Sequence, residues 1–241
     1  MAGITNSPLF VIEMFIYALL GGILPALIWL WFWMHEGHEH KEPRHVISFT
    51  FLFGMLAVLA VFPFQRSILF FFPTLTPQDT PVIFLWALFE EIIKFLAAYI
   101  YAFHISEVYD EPIDAFVYMM TAALGFSALE NTLFLLTPLL QGDTISTIMT
   151  GNLRFMGASL LHVVCSGVLS LFIAYTYYKS RFKKVMYTVV GLITAGVLHT
   201  LFNFFIMNSE RESLFIIFSF VWLTTILLII ILERIKMIKK F

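Results

Sequence analysis

The chain has 241 residues, of which 60% are hydrophobic, 17% aromatic and only 12% charged, against about 25% charged in an ordinary soluble domain. This excludes a soluble globular protein and calls for an all-α polytopic membrane protein. The net charge of −2 gives no sign of a nucleic-acid partner, and the single Cys165 excludes an intramolecular disulfide.

Met1 to Pro8 contain no Lys or Arg, and the apolar stretch after them is too long for a signal peptide. Seven apolar runs follow. The first, Phe10–Met34, holds Gly21, Gly22 and Pro25, with Glu13 near its entrance. The second is Val46–Phe64, and Ser67–Pro73 reads as a separate interfacial piece before a Pro-rich loop. The third, Pro81–Phe103, carries Glu90, Glu91 and Lys94. The others are Ile113–Leu136, Phe155–Tyr178, Val185–Met207 and Leu214–Leu232. Each is expected to be a helix, because a spanning segment must satisfy its own backbone hydrogen bonds. The runs lack the ten-residue alternation of a barrel, and no internal repeat is visible. The expected unit is one membrane-embedded domain, 1–241, with a motif-bearing core over about 81–207.

Loop charges orient the bundle. Lys41, Arg44, Lys179, Arg181, Lys183, Lys184, Arg234, Lys236, Lys239 and Lys240 fall on one side, and Arg66, Arg154 and Arg211 on the other. The first side is therefore expected to be cytoplasmic, with the N-terminus outside and the C-terminus inside. The tract from His35 to His45 is rich in His and Glu; it suits either a solvated loop or a metal. Thr137–Asn152, with Gly142, Asp143 and Gly151, reads as an outward-facing loop fit to form a rim or lid.

Charged residues at mid-bilayer cost about 2.5–3.5 kcal/mol each on insertion scales, so the third run needs partners. A rise of about 1.5 Å per residue puts Glu90 roughly 13 Å deep, Glu130 roughly 10 Å, and His162 and His199 roughly 12 Å. Four helices thus bring rare polar groups to one layer in the outer half of the membrane. Glu90 shares a helix face with Lys94, and His199 with Asn203, each pair four apart. Gly125 before Glu130 and Asn131 lets a neighbouring helix come close. A carboxylate in such a pocket can act as general base on water, and imidazole or amide N–H groups can stabilise an oxyanion. The same His and Glu residues can instead hold zinc. His-Glu-x-x-His is missing, and no Gly-x-Ser-x-Gly accompanies Ser127, Ser159 or Ser166. Structural alternatives exist: a Glu91–Lys94 ion pair, Arg154 as interfacial anchor, Asn203 as an interhelical bond, and Cys165 as a small buried residue.

Four patterns in order resemble the PrsW-type intramembrane proteases, in the wider group with CAAX-type and bacteriocin-processing membrane proteases. They are Glu90-Glu91-x-x-Lys94; Asp114-Ala115-Phe116-Val117-Tyr118 leading to Gly125-Phe126-Ser127-Ala128-Leu129-Glu130-Asn131; Arg154 followed by His162; and His199-x-x-x-Asn203. The resemblance implies that Glu90 activates water with help from Glu91, while His162, His199 and Asn203 position the water or stabilise the oxyanion. Glu130 stands where CAAX-type enzymes have a His, and Lys94 one residue short of their Arg. Lys94, Arg154 and Asn131 are expected in support. The resemblance implies a membrane-anchored protein substrate, similar to an anti-sigma factor, cut in a bacterial cytoplasmic membrane. The expected type is glutamic with no tightly held cofactor, with zinc at the Glu/His layer as the second choice. An ion or proton transporter using the same Glu, Lys and His relay is the alternative.

Overall fold

The computed structural model describes residues 7–36, 42–105, 107–208 and 214–237. Residues 37–41 of the His-rich tract, with His38 and His40, lie outside them, as does Arg211. The elements are α1 (Pro8–Glu36), α2 (Arg44–Phe71), α3 (Thr80–Ala98), α4 (Pro112–Leu140), α5 (Thr144–Leu153), α6 (Ser159–Tyr175), α7 (Arg181–Asn208) and α8 (Leu214–Lys236). A π-helical turn, Tyr99–Phe103, extends α3, and another, Arg154–Ala158, joins α5 to α6. The result is seven continuous helical rods with no strand among the described residues, as expected. Six of the rods are long and apolar enough to cross a membrane. The seventh, residues 80–103, carries Glu90, Glu91 and Lys94.

α4 is the axis of the bundle. Its residues from Pro112 to Ala128 are buried on every side, as a helix apolar all round must be. It packs against α1, α2 and α6, and more lightly against α3 and α5. Glycines set the crossing with α2. A Cβ on Gly54 would lie 2.2 Å from Ala122 O, and one on Gly125 would lie 2.0 Å from Phe51 O. Only the hydrogen of glycine lets the two backbones meet there. At the start of α4 the Asp114 carboxylate accepts the backbone N–H of Asp110 (2.9 Å) and Glu111 (2.7 Å). It therefore serves as a cap, as its N-terminal position suggests.

Two local expectations are corrected. The piece expected as interfacial, Ser67–Pro73, is largely the end of α2, which runs through Pro63 to Phe71. A proline removes one N–H from the ladder, whereas ending the helix in an apolar medium would strand several groups at several kcal/mol each. The expected outer loop, Thr137–Asn152, is mostly helix. α4 continues to Leu140, Gly142 turns the chain at φ 70°, and Asp143 caps α5 by accepting Ser146 N at 3.0 Å. The Ser146 hydroxyl and amide together hold the Asp143 carboxyl below its ordinary proton affinity. The hydroxyl-rich composition read as loop, but Asp143 followed by Ser146 and an apolar helix face is a start signal.

Candidate active site

α2, α3, α4, α5, α6 and α7, with Phe218 of α8, line an open cavity of about 1180 Å³. Glu90, Glu130, Arg154, His162, His199 and Asn203 all lie on its wall. The layer expected from counting depth thus closes on one space.

Glu90 and Glu91 leave α3 about 100° apart, so one helix serves two places. Glu90 reaches the cavity. Its Oε1 accepts the Gln65 amide at 3.5 Å, and its Oε2 is buried without a hydrogen-bond partner, 3.7 Å from His199 Nε2. Glu91 is fully buried behind the wall. It takes Lys94 Nζ at 2.5 Å, His199 Nδ1 at 2.8 Å and the Ser166 hydroxyl at 3.2 Å. Lys94 is the counter-ion of Glu91, three residues away, the ion pair weighed above as a structural alternative, and not of Glu90, four residues away. Buried ion pairs persist only where remaining donors and lone pairs are also met. Here His199, Ser166 and His162 meet them.

The second carboxylate, Glu130, comes from α4. Its Oε2 receives the Arg154 guanidinium and lies 3.1 Å from His162 Nε2. Arg154 Nε also donates to Asn131 Oδ1 at 2.5 Å, and the guanidinium stacks 3.9 Å from the centre of the Phe134 ring. Asn131 in turn donates to Ser159 Oγ at 3.0 Å and to Ser127 Oγ at 3.2 Å. Arg154 is therefore tied inward instead of anchoring at the interface. The π-helical turn that begins at Arg154 shifts the register of α6 at this point, as such turns do at functional sites. The serines hold Asn131 and Glu91, and neither Ser159 nor Ser166 lines the cavity. Asn203 stands one turn beyond His199 on the cavity wall. Cys165 is fully buried and off the wall.

The two histidines cross edge to face with ring centres 5.2 Å apart. One ligand atom each from Glu90, His162 and His199 lies within 4.8 Å of the others, and a second such trio is Glu91, Cys165 and His199. The first trio lines the cavity and contains the orphaned Glu90 Oε2, so a carboxylate and imidazoles suited to zinc are present where a metal would have access. In the second trio Glu91 is already engaged by Lys94, His199 and Ser166, and neither Glu91 nor Cys165 lines the cavity.

Sequence reasoning missed Gln65 and Trp86. Gln65 falls just past the expected end of the second run at Phe64; the helix continues to Phe71 and carries it to this wall. Trp86 is four residues before Glu90, hence on the same face, and its Nε1 is buried without a partner beside the cavity.

Residues 42–231 match the family described as PrsW family intramembrane metalloprotease. The chain is similar to a Protease PrsW from Geobacillus kaustophilus, 25% identical over 79% of the chain and 80% of the relative. It is also similar to one from Oceanobacillus iheyensis, 26% identical over 81% and 86%, and one from Shouchella clausii, 23% identical over 77% and 83%. No solved structure matches the chain.

Proposed function

Because this chain belongs to the PrsW family of membrane proteases, we propose that it is an endopeptidase of glutamic type. It cleaves a membrane-anchored protein in the outer half of a bacterial cytoplasmic membrane. The observation that carries this reading is Glu90 Oε2: a buried carboxylate oxygen, unpartnered, on the wall of a large cavity and facing His199. A buried acceptor without a partner costs about 1–3 kcal/mol, and a bound water or substrate relieves that cost.

In the proposed reaction a water held between Glu90 and His199 loses a proton to Glu90 as its oxygen adds to the scissile carbonyl. The oxyanion takes a hydrogen bond from the side-chain amide of Asn203, while His162 gives its N–H to Glu130 and holds that carboxylate at the edge of the site. Glu90 then returns the proton to the departing amine nitrogen as the C–N bond breaks, so the carboxylate is regenerated. Glu91 never meets substrate; it orients His199. Below the layer, α4 contributes Met119, Met120, Ala122, Ala123 and Leu124, all buried, which supports a pocket closed toward the cytoplasm rather than a path for ions. The excess of Lys and Arg on that side supports the N-out, C-in orientation.

The family description names a metal. Glu90 and His199 would hold it, with the His162 ring beside them, and a bound zinc would lower the proton affinity of the attacking water. The substrate class proposed is a single-span regulatory protein similar to an anti-sigma factor. The test is a Glu90→Gln variant used to trap substrates in membranes, with new N-termini read from wild-type cells. Cleavage lost in Glu90→Gln and His199→Ala, both still folded in detergent, is the expected result; cleavage retained by both variants would sink the assignment.

A further inference from the structure

Both ring nitrogens of His162 are engaged. Lys94 Nζ lies 3.0 Å from Nδ1, and Glu130 Oε2 lies 3.1 Å from Nε2. An ammonium has three N–H donors and no acceptor, and a neutral imidazole has one nitrogen of each kind. Against Lys94, Nδ1 can only accept, so the ring hydrogen sits on Nε2 and points at Glu130. His199 is set in the opposite sense. Its Nδ1 lies 2.8 Å from Glu91 Oε1, and an ionised carboxylate can only accept. The hydrogen therefore sits on Nδ1, and Nε2 turns a free lone pair toward Glu90. Glu91 is itself held by Lys94 at 2.5 Å, and the two side chains are wholly excluded from solvent.

We infer that Lys94 is a positioning residue that fixes the two histidines in opposite tautomers, acting directly on His162 and through Glu91 on His199. His162 is thereby an N–H donor, and His199 alone of the pair offers a lone pair to the cavity. The spacing explains how one helix does this. Lys94 is three residues from Glu91, close enough to pair, and a second of its N–H groups reaches His162 on α6. Of the trio Glu90, His162 and His199, only Glu90 and His199 then keep a free lone pair for a metal, so His162 stands outside any ligand set. The effect on rate rests on the hydrolytic reading above; the tautomers do not.

The experiment is long-range proton–nitrogen correlation spectroscopy on the full chain in detergent, labelled with 15N-histidine. It separates a protonated ring nitrogen from a lone-pair nitrogen without any substrate. His162→Gln and His199→Gln assign the two buried rings among the seven histidines. The expected result is Nε2–H for His162 and Nδ1–H for His199. Lys94→Arg, still a donor only, should keep the His162 pattern, whereas Lys94→Met should convert it to the other tautomer or a mixture. Added Zn²⁺ alone should move the His199 signals and leave those of His162 in place. The same tautomer in both wild-type rings overturns the inference, as does an unchanged pattern in Lys94→Met or a shift of His162 by zinc. If Lys94→Met does not fold, the wild-type tautomers and the zinc titration decide. Opposite tautomers in a protein whose cleavage survives loss of either histidine would refute the hydrolytic reading while leaving this one standing.

Discussion

Replacing Glu91 by Met should separate stability from catalysis, and the structure sets the size of the effect. Glu91 receives three hydrogen bonds, from Lys94, His199 and Ser166. The first carries a full positive charge and is wholly buried. Losing the carboxylate leaves Lys94 uncompensated, which costs about 3–5 kcal/mol when one partner of a buried pair is removed. Removing both charges is different, because an apolar pair of similar volume commonly matches a buried ion pair or exceeds it. Glu91→Met/Lys94→Met should thus recover most of the lost stability, and because Lys94→Met alone also strands a buried charge, the coupling in the double-mutant cycle should exceed about 3 kcal/mol. The double variant should still fail to cleave, since His199 has lost the acceptor that fixes its tautomer. The assays are unfolding in mixed micelles with rising SDS, followed by far-UV circular dichroism, and cleavage of a trapped substrate. A single variant as stable as the double, or a double variant that cleaves normally, would refute the reasoning.

Other consequences follow from the packing and the caps. Gly125→Ala pushes a methyl into Phe51 O, 2.0 Å from the Cβ position; it should cost at least about 1–3 kcal/mol. Gly151→Ala meets nothing nearer than 3.6 Å and should stabilise α5 by about 0.5–1 kcal/mol, so equal thermal shifts in the two variants would contradict the crossing described. Trp86→Phe removes a buried donor that has no partner. The donor's cost of about 1–3 kcal/mol offsets the lost packing, so the unfolding midpoint should move by under about 1 kcal/mol while cleavage falls through kcat; unchanged cleavage would leave that N–H without a role. The Asp143 carboxyl sits below its ordinary value because Ser146 donates to it. Its cap is present above the unfolded value, about 3.9, and is lost as pH falls through the lower folded value. Protection of the amides at the start of α5, taken relative to their intrinsic exchange rates, should therefore be high at neutral pH and fall only in acid below that range, and Asp143→Ala should be poorly protected at both.

The seven helices and the convergence of their rare polar groups were legible in the chain, while six of the seven are long and apolar enough to cross a membrane. A spanning segment has only its own backbone to bond with, and hydropathy with a fixed rise per residue places its side chains in depth. Glu90, Glu130, His162 and His199 could be put at one level on those grounds, and the order of motifs around them pointed to a family. Depth says nothing about azimuth or about which neighbour a side chain meets, and that is where tertiary structure decided. It turned Glu91 away from the cavity and onto His199, gave Lys94 to Glu91 and His162 rather than to Glu90, and drew Arg154 inward to Glu130 and Asn131. Helical spacing put Trp86 on the Glu90 face, but that this face and Gln65 of α2 line one cavity was decided by the packing of α2 and α3. The end of α2 beyond Phe64 and the hydroxyl-rich outer segment were misread for a related reason. Polar and hydroxyl-rich sequence favours loops in water, whereas at a membrane the cost of unpaired backbone groups keeps the helix going.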